Sequence, residues 1–283
     1  DMLGVVNGSP LAQMTDQMLA RATANGTADL RLKLQVPLDQ TERTTVQGSV
    51  SLPGNDVQLA PEVPRLTRAR GSIGFTETGF TVTAIQGRLL GGDVRIDGGS
   101  VPASAAAAGA PRAGLGMAFR MQGVASAEAL RQARELGVVT RLAQKASGSA
   151  AYAATVGLRG GVPEFSLTSN LVGLGLNLPA PLGKSEQTPM PLRIESALMR
   201  DLQAGSAGAS STRSLDQLVL DLGRVGSVQY VRDVSGAEPR VLRGAIAIGL
   251  ADGESAPLPA EGVIANIRMG DLDVDEWERL LSQ

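Results

Sequence analysis

Two short stretches carry residue types that could do ionic chemistry: Leu182-Gly183-Lys184-Ser185, and Asp271-Leu272-Asp273-Val274-Asp275-Glu276. Glycine before lysine and serine suggests a loop whose backbone N–H groups cradle a phosphate. Such a loop needs another glycine five positions before Gly183, where the chain has Leu178. Pro179 and Pro181 also withdraw two N–H donors. The stretch is therefore read as the end of a strand and a turn. The acidic run begins like a calcium loop, but its sixth and twelfth positions are Glu276 and Ser282 instead of glycine and an acid. Acids there suit the positive end of a helix dipole. Neither stretch predicts a metal site or a cofactor.

The rest of the composition narrows the chemistry further. Histidine and cysteine are both absent. That removes Ser-His-Asp triads, thiolate sites, HExxH zinc sites and the usual acid–base group near neutrality. No two of the 28 acids are singled out as a carboxylate pair, so no enzyme is expected. The formal charge of −2, with 26 basic residues scattered along the chain, offers no stripe for nucleic acid. Two Tyr, four Phe and one Trp leave little to stack on bases or sugars. Asn7-Gly8-Ser9 and Asn25-Gly26-Thr27 fit the glycosylation pattern but read better as turns. The chain opens on Asp1 without a leader and holds no apolar run of about 20 residues. It is expected to be an internal piece of a longer protein.

Periodicity predicts strands. ADLRLKLQV (28–36) sets Leu30, Leu32, Leu34 and Val36 on one face, with Arg31, Lys33 and Gln35 on the other. Alternation returns at 71–84, where Thr78-Gly79 supplies a bend, and at 91–99, 114–123, 163–170, 218–223, 240–250 and 263–269. Helices are fewer. One follows Ser9-Pro10, one runs from Ser126 to about Lys145 with a break near Gly137, and one begins near Asp273. Val101–Pro111 reads as a linker and GSAGASSTRS (205–214) as a loop.

Elements recur in order. MAFRMQGVASAEALRQ (117–132) lines up on IANIRMGDLDVDEWERL (264–280), placing Arg120 on Arg268, Met121 on Met269, Glu128 on Glu276 and Arg131 on Arg279. LARATANGTADLRLKL (19–34) resembles RLAQKASGSAAYAATV (141–156), GNDVQLAPEVPR (54–65) resembles VGLGLNLPAPLG (172–183), and 81–97 loosely matches 215–233. The expected fold is mainly β with a few helices: an extended, curled antiparallel sheet of two helix-plus-about-seven-strand repeats. These cover 1–124 and 125–272, with a truncated third unit at 273–283 and an apolar concave face. One helix cannot cover seven strands, so part of the apolar face must meet another sheet, itself or a ligand. Smooth aliphatic walls poor in aromatics suit acyl chains, each buried CH₂ contributing about 0.8 kcal/mol.

SNLVGLGLNLPAPLGK with PLRIE (169–184, 191–195), GFTVTAIQGRLLGGDVRIDGG (79–99) and LPAEGVIANIRMGDLDVDEW (258–277) make the chain resemble the AsmA-like superfamily, nearest its YhdP-type members. The first copy carries LAPEVPR (59–65) in place of the Leu-Pro-Ala-Pro form. The resemblance implies a periplasmic segment of a large protein anchored in the inner membrane of a Gram-negative bacterium. Such proteins are thought to pass phospholipid toward the outer membrane along a hydrophobic groove and so maintain the permeability barrier. It carries over no catalytic residue. The partners implied are phospholipid acyl chains and the rest of the same chain at both ends. Membrane contact would come only through regions outside this piece. Candidate groove-lining residues are Leu30, Leu32, Leu34, Ile73, Phe75, Leu174, Leu176, Leu178, Ile246 and Ile248, several of them expected to be ordinary core. The alternative is a scaffolding β-repeat, a spacer or envelope assembly factor without lipid cargo.

Overall fold

The computed structural model describes residues 21–37, 39, 45–61, 63–101, 116–159, 162–199, 214–236, 239–249 and 256–268. The helix expected after Ser9, the acidic run with its helix at 273, most of the 101–111 linker and nearly all of the 205–214 loop lie outside these residues. The described residues form fifteen strands. The chain divides into two units. One comprises 1–144 and 151–163, the other 145–150 and 164–283.

The first unit is a meander. Its strands are β1 (Thr23–Asn25), β2 (Asp29–Gln35), β3 (Thr45–Gln58), β4 (Leu66–Thr76), β5 (Phe80–Leu89), β6 (Gly91–Val101) and β7 (Gly116–Ser126). The turn between β4 and β5 closes where Thr78-Gly79 predicts a bend, with Thr76 N–H donating to Gly79 O at 2.8 Å. Register carries one apolar row across six strands: Leu30, Val50, Ile73, Val82, Gly98 and Phe119 face the same side. Ala69, Val82 and Ile85 are its buried centre, packed by Leu52, Leu66, Phe80, Ile96 and other half-buried neighbours. Arg70, Ser72, Thr83, Gln86, Arg95 and Gln122 take the opposite parity and face water or stay half-covered.

Some core residues of β4 and β5 lie an odd number of positions apart, and bulges bring them to one face. Val82 and Ile85 both face the core although they are three residues apart, because the register shifts between them. At the shifts, Ala84 and Arg68 take left-handed backbone (φ 48° and 54°). Neighbouring strands supply the acceptors these residues need. Asp97 Oδ1 accepts the Ala84 N–H at 2.8 Å and Asp56 Oδ1 accepts the Arg68 N–H at 3.0 Å. The Arg95 guanidinium, 2.9 Å away, and then the Ala84 N–H hold the Asp97 carboxyl below the ordinary carboxylate range.

Glycine makes room for the few aromatic rings. A Cβ at Gly48 would come within 2.3 Å of the Phe75 ring, and one at Gly98 within 2.8 Å of Phe119. Phe119 and Phe80 stack at 6.1 Å between ring centroids. β3 itself escapes a simple alternation reading because Gly48, Pro53 and Gly54 interrupt it. Pro53 is tolerated because the ladder shifts register between Pro53 and Asn55.

After β7, Ser126 caps α1 (Ala127–Gln132), its Oγ accepting Ala129 N–H at 3.2 Å. A 3₁₀ turn (Arg134–Leu136) and Gly137 (φ 55°) then separate α1 from α2 (Val138–Ala143), where the sequence predicts a break. β8 (Ala146–Arg159) contributes residues to both units.

The second unit holds β9 (Val162–Ser169), β10 (Leu174–Leu176), β11 (Leu192–Leu198), β12 (Leu215–Asp221), β13 (Gly226–Asp233), β14 (Arg240–Ile248) and β15 (Gly262–Ile267). A second apolar row runs Leu167, Ile194, Leu220, Val228, Ile246, Ala265. The Tyr230 ring lies over Gly244, whose Cβ would meet it at 2.2 Å. One pairing departs from the expected antiparallel sheet. β15 runs parallel to β14, so the sheet is mixed. A parallel neighbour needs a returning connection of about a dozen residues, and 249–261 supplies one.

Two outcomes check this account of the first unit. Gly48→Ala pushes a methyl group into the Phe75 ring and lowers stability by about 1–3 kcal/mol in urea denaturation. Because the carboxyl of Asp97 titrates lower when folded than unfolded, its stabilisation is complete above the ordinary carboxylate range. It is lost as pH falls through the depressed value. In Asp97→Asn the urea midpoint falls less steeply between about pH 5 and pH 3 than in the parent chain.

Candidate functional site

The ten leucine, isoleucine and phenylalanine positions drawn from alternation fall into separate settings. In the first unit, Leu30 lies in register with Val50 and Ile73, and Leu32 with Gly48 and Phe75. Leu34 joins them through Val46. These five candidates share one face, but not one environment. Phe75 is 9% exposed, and Ile73 is half-buried against the core cluster. On β2 the exposures rise to 46% at Leu30, 54% at Leu32 and 55% at Leu34. The apolar face therefore runs from a closed centre at β4–β6 to an uncovered margin at β2. Fully burying such a side chain contributes about 1.5–3 kcal/mol, so each half-exposed leucine leaves roughly 1 kcal/mol unrealised.

In the second unit, Ile246 and Ile248 sit half-buried on the face of the second apolar row. Ile248 lies in register with Gly226 on one side and Ile267 on the other. Val263 and Ile267 of β15 are 52% and 51% exposed. Leu174, Leu176 and Leu178 belong to a corner, not to a long strand. β10 has three residues and pairs with Ala146–Gly148 of β8, and residues 177–183 turn back. Leu174 and Leu178 are 6% and 9% exposed, and Leu176 is half-buried. The first unit has a comparable small ladder, β1 on Asp56–Gln58 of β3, where Asn55 Nδ2 donates to the carbonyls of Asn25 and Thr27.

Lys184 closes that corner. Its Nζ donates to the Leu171 carbonyl at 2.9 Å and also to the Leu174 carbonyl. Its backbone exchanges both hydrogen bonds with Leu176. Desolvation holds the ammonium below the ordinary lysine range, opposed by the charge of Glu186. The glycine–lysine–serine stretch thus spends its cation on backbone carbonyls, which agrees with the turn reading. Ser147 Oγ donates to Glu186 Oε1 at 2.8 Å and ties the corner to β8.

One polar cluster escaped the sequence reading. Asp216 of β12 and Arg232 of β13 pair side by side on the face that also carries Leu218, Leu220, Val228 and Tyr230. Arg232 Nε donates to Asp216 Oδ1 at 3.0 Å and its Nη2 to Oδ2, while Ser196 Oγ donates to Oδ2 at 2.8 Å. The Asp216 side chain is 4% exposed and that of Arg232 20%. The available signal was a pair of opposite charges at apolar parity in consecutive strands. Removing one partner of such a buried pair costs about 3–5 kcal/mol, so the cluster fixes the register of β11 to β13.

Among the described residues, no three His, Cys, Asp or Glu side chains gather where they could hold a metal ion. No helix among them is long and apolar enough to cross a membrane. What the arrangement offers chemically is apolar surface: an aliphatic margin beside a closed core in the first unit, and a half-covered row in the second.

The family model described as YhdP protein matches residues 1–283. No curated protein and no solved structure matches the chain. Mixed β-sheet with one apolar face, few helices and a family match over the whole length lead to one assignment: the chain belongs to the YhdP family.

Proposed function

We propose that this chain is a non-enzymatic, lipid-carrying segment of a bacterial cell-envelope protein, working in the periplasm on phospholipid in transit between the inner and outer membranes. Membership of the YhdP family, an AsmA-like envelope family associated with lipid transport, supports the general reading. The observation that carries the finer one is the half-exposed row Leu30, Leu32, Leu34, continuous by register with Ile73 and Phe75.

Each methylene moved from water onto such a surface contributes about 0.8 kcal/mol, so an acyl chain of a dozen carbons binds without a charged anchor. The mechanism is passive. Acyl tails lie along the aliphatic margin while head groups remain in water, and neighbouring parts of the same long chain extend the path at both ends. Ile246, Ile248 and Leu176 offer a further apolar stretch within the second unit. Leu174 and Leu178 hold its corner together. Direction of movement is set elsewhere.

The test uses gently purified chain in native mass spectrometry and uptake of a fluorescent phospholipid. Co-purified phospholipid and saturable uptake are expected, with uptake reduced at least fivefold by Leu32→Asp and an unchanged circular dichroism spectrum. Leu32 is more than half exposed, so a carboxylate there is tolerated by the fold. Lipid-free protein that takes up none, with Leu32→Asp indistinguishable from the parent, replaces this reading with a spacer.

A further inference from the structure

The face of the second unit that carries the row Leu167, Ile194, Leu220, Val228 and Ile246 also carries a guanidinium. Arg232 of β13 stands there between Asp216 of β12 and Val241 of β14. A guanidinium has five N–H donors. Nε donates to Asp216 Oδ1 at 3.0 Å, while Nη2 donates to Asp216 Oδ2 and to Ser196 Oγ, the latter at 3.3 Å. Among the described residues nothing accepts from the N–H groups of Nη1. We propose that Nη1 of Arg232 hydrogen-bonds an ester carbonyl oxygen of an acyl lipid lying on this face, with Asp216 and Ser196 as positioning residues.

Both residues that aim the guanidinium are deeply buried: Ser196 is 3% exposed and the Asp216 side chain 4%. The Arg232 side chain keeps 20%. Nη1 itself is reachable, because the buried polar atoms that lack a partner among the described residues are Asn55 Oδ1 and Tyr152 Oη. Bonding both carboxylate oxygens through Nε and Nη2 fixes the plane of the group and leaves its Nη1 edge on the side away from Asp216. Strand pairing does not require such a cluster. Two rows along, Ile194, Leu220 and Val228 hold the same three strands with aliphatic side chains. Apolar residues in place of a buried ion pair are often as stable or more so. What only the ionic pair adds is an oriented N–H donor on an apolar face.

The charge of the cluster selects the acceptor. One guanidinium is matched by one carboxylate, so the cluster is neutral. An anion at Nη1 would also face the Asp216 carboxylate, with little water to screen the repulsion. An uncharged carbonyl oxygen gains the hydrogen bond without that cost. The surroundings select the rest of the molecule. Val241, in register with Arg232, is 43% exposed, and Phe165, in register with Ser196, is 39% exposed. Leu218 and Tyr230, half-buried, complete the row of Ser196. A carbonyl held at Arg232 thus has uncovered apolar side chains beside it, the setting that an acyl ester with its tail requires.

This inference rests on the lipid reading and names the part of the lipid that the second unit grips. The test measures binding to the full chain by isothermal titration, using dihexanoylphosphatidylcholine and its dihexyl ether counterpart below their aggregation concentrations. In the ether each ester C=O is replaced by CH₂, so head group and tail length cancel. The parent chain binds the ester about tenfold more tightly, the scale of one charge-assisted hydrogen bond. Ser196→Ala/Asp216→Leu/Arg232→Met leaves no buried charge unpaired, and its thermal midpoint stays at or above the parent's. It loses the preference by weakening ester binding alone. Val241→Glu, at an exposed position, sets a competing carboxylate beside Arg232 and also abolishes the preference, which keeps the test decisive if the triple variant does not fold. Equal affinity of the parent for both lipids overturns the inference and leaves the lipid reading standing. Binding of neither lipid overturns both. A preference that survives in Val241→Glu, or in a folded triple variant, places the carbonyl contact elsewhere and overturns the assignment to Arg232.

Discussion

Cross-strand register that keeps apolar side chains on one face is the constraint from which the rest of the first unit follows. With side chains alternating along each strand, a slip of one residue would turn Leu30, Val50, Ile73 and Val82 toward water together. Bulges at Arg68 and Ala84 absorb the residues that would otherwise break parity, and Asp56 and Asp97 satisfy the N–H groups those bulges expose. Glycines at 48 and 98 accept the rings of Phe75 and Phe119 on the same face. Burial energy gathers at β4–β6 and thins toward β2, leaving an apolar margin there.

The second unit meets the same demand differently. The face that carries its apolar row from Leu167 to Ala265 also holds the Ser196–Asp216–Arg232 cluster further along the strands, a costly arrangement tolerated because each member finds its partners within the cluster. Lys184 solves a related problem at the 170–190 corner, where carbonyls turned away from any ladder receive an ammonium group instead. At the corner a charged side chain satisfies backbone carbonyls, whereas in the cluster the polar side chains satisfy one another.

Much of this was legible in the sequence because the fold is built from a local period. The alternation of ADLRLKLQV, GGDVRIDGG and RVLRGAIAIGL marks β2, β6 and β14, and Ser126 and Gly137 mark the start and break of the helical segment. β3 hid behind Pro53-Gly54 because its tolerance for proline comes from a register shift with β4, which is a property of the pair. Strand direction at β15 depends on how a connection returns, so residues 262–267 alone could not show it to be parallel. The candidate site was legible only in part for the same reason. Leu32 and Leu174 sit in equally alternating stretches, yet one is 54% exposed and the other 6%. Periodicity says which side chains share a face; coverage depends on strands distant in sequence.

Parity supplies the most direct trial of the idea that this apolar face carries lipid. A photo-crosslinking residue placed singly at each position from 30 to 35 in the full-length protein in living cells reads the two sides of β2 separately. Phospholipid adducts at 30, 32 and 34, with little or none at 31, 33 and 35, are the result this account predicts. Adducts spread evenly over all six positions, or protein partners captured at the even ones, would contradict it.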